Sequence, residues 1–185
     1  GIVMGNIEVI HNKAYEKLLE CLDMDDIFEE NLKLDIIKGR VNYLRKYNHK
    51  YYSDSKKQYI YAIILFTLFV ENVSLFSQFY IACWIAKHRN AIKDVDNQIS
   101  YTMKEETIHA LVGIEIINNL RKEYLELFDA DLEEKILAEA KSAFEAESKI
   151  VDWMVGNFDE DGLNASLLKD YIKLKEQEFS FDRFN

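Results

Sequence analysis

No proline interrupts the chain, and glycine appears only 6 times in 185 residues. Proline breaks helix interiors and glycine weakens them, so their scarcity leaves long helices unopposed. With 49% hydrophobic residues interleaved with 30% charged ones, the composition predicts an all-α chain with a substantial core. Cysteine is nearly absent too. Cys21 and Cys83 have no CxxC spacing and form no disulfide framework, which fits a reducing, cytoplasmic setting. Positive charge is in deficit, 23 Lys and Arg against 33 Asp and Glu, giving a net charge of −10. That balance argues against nucleic acid or an anionic membrane as a partner. Gly1 to Met4 lack the basic start and long apolar run of a signal peptide. There is no internal repeat, low-complexity tract or linker, so residues 1–185 read as one helical unit.

The longest stretch poor in charge runs from Gln58 to Ala86, where Glu71 is the only ionisable acid or base among Asp, Glu, Lys and Arg. It is long enough to cross a bilayer. Glu71, Asn72, Ser74, Ser77 and Gln78 crowd its middle, however, and no second span exists, so a buried helix is the preferred reading. A lone carboxylate there needs a cation, a proton or a metal, because desolvating a charge costs several kcal/mol or more.

Periodicity predicts the remaining elements. An apolar stripe of Ile7, Ile10, Ala14, Tyr15, Leu18, Leu19 and Leu22 marks a first helix. A second is expected from about Asn31 to Tyr52, followed by a loop and cap at Ser53 to Ser55. Further helices are expected from about Asn97 to Tyr124, from a cap at Asp129 to about Phe158, and from about Asn164 to Phe179, with Ser180 to Asn185 frayed. Most of the eleven tyrosines are expected to bury their rings and leave their hydroxyls outside, and Trp84 and Trp153 to sit in the core.

Glu106 and His109 are three apart and share a helix face with Ile99, Thr102, Gly113 and Ile116, which predicts that they point inward. A glutamate from one helix with a Glu-x-x-His from its neighbour makes half of a dinuclear carboxylate site. Such donors suit hard divalent metals, bridged by carboxylates and completed by one imidazole each. A single Glu-x-x-His is a weak signal, and its pairing with Glu71 is what strengthens it. In the competing reading Glu71 is protonated or paired with a lysine, and the chain is a non-catalytic helical interaction domain.

Four stretches resemble the small, radical-generating subunit of class I ribonucleotide reductase. They are Glu8-Val-Ile-His-Asn-Lys-Ala-Tyr15; Val70-Glu71 with Phe76, Phe79 and Trp84; Glu105-Glu106-Thr107-Ile108-His109; and Asp152-Trp153 with Gly162-Leu163-Asn164 and Tyr171. The resemblance implies a ferritin-like helical bundle, of which this chain is the C-terminal half. It implies Glu71, Glu106 and His109 as metal ligands, and Glu105 as a supporting carboxylate where the family usually has Asp. Leu75 and Phe79 would form an apolar wall beside two iron ions, two manganese ions or a mixed pair.

The family has six ligands, three of them an acid and a first Glu-x-x-His with the radical tyrosine just after it. That trio is expected to be missing here. Glu8 and His11 have the Glu-x-x-His form but are aligned with a non-ligand helix and read as a partly exposed face. The expected partners are an N-terminal half of the small subunit, a second small subunit and a large catalytic subunit. The N-terminal half is either the product of a split gene, the preferred origin, or the remainder of a longer chain. Another ferritin-like dimetal oxidase component is the alternative activity.

Overall fold

The computed structural model describes residues 2–177, apart from the side chains of Ile2, Met4, Glu71, Lys175, Glu176 and Gln177. The expected fraying of 180–185 and the environment of the Glu71 carboxylate therefore lie outside what is described.

The chain is all-α, as its composition predicts. Among the described residues it forms eight α-helices: α1 (Ile2–Leu22), α2 (Asp25–Asn31), α3 (Asp35–Leu44), α4 (Ser55–Leu68), α5 (Phe76–Arg89), α6 (Lys93–Glu123), α7 (Ala130–Val155) and α8 (Ala165–Gln177). A two-stranded hairpin, Asp159–Glu160 against Leu163–Asn164, joins α7 to α8. Its turn needs left-handed backbone at Asp161 (φ 43°) and Gly162 (φ 84°), the latter supplied without strain by glycine. No described helix is long and apolar enough to cross a membrane.

The caps are local and legible. Asp54 accepts the backbone N–H groups of Lys56 and Lys57 to open α4, and Asp129 accepts that of Leu132 to open α7. Two expectations are corrected. The single helix from Asn31 to Tyr52 is instead α3 with a 3₁₀ turn at Arg45–Asn48, set off from α2 where Leu34 adopts extended backbone (ψ 135°). The long apolar helix is also broken: α4 runs into a π turn at Phe69–Val73, and α5 starts afresh at Phe76. The polar residues in its middle, Asn72 and Ser74, bond to backbone carbonyls there and stabilise the irregular register.

The core is built on α4. Ile60, Tyr61, Ile64, Leu65 and Leu68 are all buried, and they pack with Ile117 of α6 and with Leu132, Ile136, Ala140 and Ala143 of α7. Close approach of α4 to α6 depends on Gly113, because a Cβ there would sit 2.3 Å from Thr67 Oγ1. Tyr43 and Tyr61 are fully buried, hydroxyls included. Trp84 is buried and donates to the Asp161 carbonyl at 3.2 Å, whereas Trp153 is half exposed and not a core residue.

Two acids that sequence reading passed over are buried in α7. Glu147 takes a bidentate pair of bonds from Arg40 of α3 at 2.7 and 2.6 Å, and a third from Tyr43 Oη at 2.7 Å. Glu139 meets Lys46 at 3.2 Å. These pairs tie α3 and the following turn to α7 and leave neither acid without a counter-charge.

Candidate metal centre

On α6, Thr102, Glu106 and His109 lie at helical spacings on one face, and all three are buried, together with Ile99 and Gly113. This is the inward face predicted from sequence. The face opposite belongs to α1, which crosses α6 in the reverse direction. Glu8 lies against His109, His11 against Glu105 and Glu106, and Tyr15 against Thr102. Glu8, His11 and Tyr15 recur at i, i+3 and i+7, so one helical stripe delivers all of them.

The distances are short. His11 Nδ1 is 3.1 Å from Glu106 Oε1 and 3.6 Å from Glu8 Oε2. His109 Nδ1 is 2.9 Å from Glu8 Oε1 and 3.4 Å from Glu106 Oε2. The two imidazole centroids are 6.4 Å apart. Ligand atoms of Glu8, His11 and Glu106 all fall within 4.8 Å of one another.

These atoms are near each other but poorly aligned for hydrogen bonding. Glu8 Oε1, His11 Nδ1 and Glu106 Oε2 are buried without a hydrogen-bond partner among the described residues. Buried polar atoms are ordinarily hydrogen-bonded, and a convergent set that is not is an arrangement a cation would satisfy. Two carboxylates and two imidazoles form a donor set that fits a hard or borderline divalent metal.

The far side of His11 is also held. Its Nε2 lies 2.6 Å from Glu105 Oε2. A ring that donates Nε2–H to a carboxylate presents Nδ1 as the free lone pair, which is how a metal-ligating imidazole is oriented. Burial pushes the His11 pKa down, but the hydrogen bond to Glu105 and the charges of Glu106, Glu8 and Glu105 outweigh it and hold it above the ordinary value.

One turn beyond His11, the Tyr15 hydroxyl donates to Thr102 Oγ1 at 3.1 Å, and Thr102 Oγ1 in turn donates to the Gln98 carbonyl at 3.2 Å. Burial raises the Tyr15 phenol above its usual pKa; the Thr102 bond opposes this, and the charge of Glu106 adds to it.

The reading of Glu8 and His11 as a partly exposed helix face is thus corrected for His11, whereas Glu8 keeps 40% of its side chain exposed. His11 is 6% exposed and faces the same point as Glu106. The signal was present in the sequence. Glu8-x-x-His11 repeats the spacing of Glu106-x-x-His109, and Tyr15 follows it where the resemblance calls for a tyrosine. The apolar stripe of α1 is only partly a contact face, because Ile10 (63%) and Leu22 (49%) are exposed, while Tyr15 of that stripe meets α6 together with Glu8 and His11. Position 71 lies in the π turn, which packs on α6. Phe79 is buried and Leu75 half-buried near the start of α5. Beside the centre, Glu8 and His109 border a cavity of about 370 Å³ whose other walls include Ile63, Phe66, Val112 and Ile116.

The family model of the ribonucleotide reductase small chain matches residues 2–178. Among curated proteins, the chain is 28% identical to a ribonucleoside-diphosphate reductase subunit beta of Chlamydia pneumoniae, over 90% of this chain and 50% of the relative. It is 21% identical to the protein of the same description from Halalkalibacterium halodurans, over 92% of this chain and 50% of that one. It is 24% identical to a probable ribonucleoside-diphosphate reductase small subunit of Invertebrate iridescent virus 3, over 91% and 49%. The chain therefore spans about half the length of the curated relatives it matches.

Proposed function

The chain belongs to the ribonucleotide reductase small-chain family, and we propose that it supplies most of the ligands of a dinuclear metal centre that generates a radical for ribonucleotide reduction. The observation that carries this reading is the meeting of two Glu-x-x-His motifs, Glu8 with His11 and Glu106 with His109, from helices packed face to face. Glu71 is proposed as a fifth ligand. The sixth, an acid, is proposed to come from a complementing N-terminal segment, on a companion chain or in the same polypeptide. When bound, two iron or manganese ions, or one of each, supply dioxygen activation and the oxidising equivalent.

The residues of this chain have separable tasks in that scheme. Glu8 and Glu106 would hold and neutralise the cations, and His11 and His109 would supply the imidazole ligands. Glu105 orients the His11 ring from behind. Leu75 and Phe79 are proposed to keep the centre dry, which protects a reactive species from side reactions. Tyr15 is proposed as the side chain that is oxidised, and the hydrogen bond from its phenol to Thr102 would fix the orientation of its ring. A large subunit and a second small subunit are the proposed partners, in the cytoplasm.

The test is electron paramagnetic resonance of the chain loaded with iron and exposed to air, together with any polypeptide that copurifies. A tyrosyl signal is expected from the native chain and none from Tyr15→Phe at equal iron content. Equal signals from both would remove Tyr15 from the role. Loading that Glu106→Gln and His11→Ala leave untouched would remove the metal centre itself.

A further inference from the structure

The π turn before α5 is held by two side chains that the metal centre does not use. Ser74 N donates to Phe69 O at 3.0 Å, five residues back, where an α-helix would reach Val70. The Val70 carbonyl takes the Ser74 hydroxyl instead, at 3.3 Å. Asn72 Nδ2 donates to the Thr67 carbonyl at 2.8 Å. Both side chains are buried, Asn72 at 9% and Ser74 at 3% exposure, in a stretch otherwise almost wholly apolar. A buried amide or hydroxyl is unfavourable unless it is bonded, so these two are committed to the irregular backbone.

We propose that Asn72 and Ser74 are positioning residues that hold the π turn and thereby fix the backbone register of position 71. The inference rests on the reading of Glu71 as a ligand. Isolated π turns are rare, and the α register is the ordinary alternative. A one-residue change of register turns a side chain by about 100° about the helix axis. Such a change can be absorbed locally, because Ser74 and Leu75 separate the π turn from α5, which begins only at Phe76. The packed face of α5 need not rotate. The anchor for Asn72 is itself fixed against the centre, since Thr67 is the residue pressed on Gly113, one turn along α6 from His109. Asn72 therefore ties the register of the turn to the helix that carries Glu106 and His109.

The experiment titrates Mn(II) into the full chain, purified with any polypeptide that accompanies it. It follows the paramagnetic resonance line shape of bound Mn(II) and amide hydrogen exchange over 69–75. Ser74→Ala and Asn72→Leu are expected to weaken Mn(II) binding about 10-fold or more, within the range seen when supporting bonds of a metal site are removed. They should also alter the line shape and speed exchange in the turn. Ser74→Thr, which keeps the hydroxyl, should restore all three. Native affinity and line shape in both Ser74→Ala and Asn72→Leu overturn the proposal. If Asn72→Leu does not fold, the Ser74 pair decides alone. A native chain that binds no Mn(II), or a Glu106→Gln chain that binds it as well as the native one, defeats the metal reading and the positioning role with it. That failure shows in the native and Glu106→Gln samples, whereas failure of positioning shows only in the Asn72 and Ser74 variants.

Discussion

His11 and Glu105 are 94 positions apart in sequence and 2.6 Å apart in space. The carboxylate stands behind the imidazole and turns the other ring nitrogen toward Glu106. This is one of the contacts that join α1 to the acid-rich turn of α6, and it fixes the orientation of a buried imidazole.

Removing that support should be felt at the metal and little elsewhere. Glu105 is 43% exposed at its side chain, so Glu105→Ala should leave the helical content unchanged. Metal affinity should fall by about 10–100-fold, the usual consequence of losing a carboxylate behind a ligating imidazole. Mn(II) titration of the two chains, with circular dichroism as the control for folding, checks both halves of the statement.

Gly113 should not tolerate a methyl group. An added Cβ meets Thr67 Oγ1 at 2.3 Å and Cγ2 at 2.5 Å, with Thr67 itself only 1% exposed. Gly113→Ala is expected to destabilise the fold by about 1–3 kcal/mol, the range for overpacking a core. The double variant Gly113→Ala, Thr67→Ala should recover part of that loss. Urea unfolding of the four chains in the cycle measures the coupling.

Glu147 is fully buried between Arg40 and Tyr43. Glu147→Ala leaves the Arg40 guanidinium, 17% exposed at its side chain, without its counter-charge. A loss of about 3–5 kcal/mol is expected, as for other buried pairs broken on one side. Replacing Arg40 and Glu147 together by leucine and methionine should be far milder, and thermal unfolding distinguishes the two cases.

Asp129 connects charge, cap and pH. Its hydrogen bond with Lys57, and its acceptance of the Leu132 N–H, hold its carboxyl below the ordinary value of 3.8. A depressed acid contributes stability above its unfolded pKa and loses it as pH falls through the folded one. Asp129→Ala is therefore expected to destabilise by about 1 kcal/mol at neutral pH, the usual worth of a helix cap. The difference should vanish as the pH is lowered below 3.8. Thermal melts of both chains between pH 7 and pH 2.5 test this.

The sequence by itself determined that the chain is helical, where α4 and α7 are capped, and that Glu106 and His109 share an inward face. Each follows from neighbours within about four residues, the reach of helical periodicity. It also determined that the stretch from Gln58 to Ala86 supplies much of the core, because so few charged groups stand in it. Only the tertiary structure decided which face of α1 meets α6. The apolar stripe on that helix was the stronger local signal, yet Glu8 and His11 join Tyr15 of that stripe in making the contact. The burial of Glu147 and the π turn at Phe69–Val73 were settled at the same level. Periodicity places a side chain on a helix, but the packing of whole helices across some ninety residues of chain determines what lies opposite it.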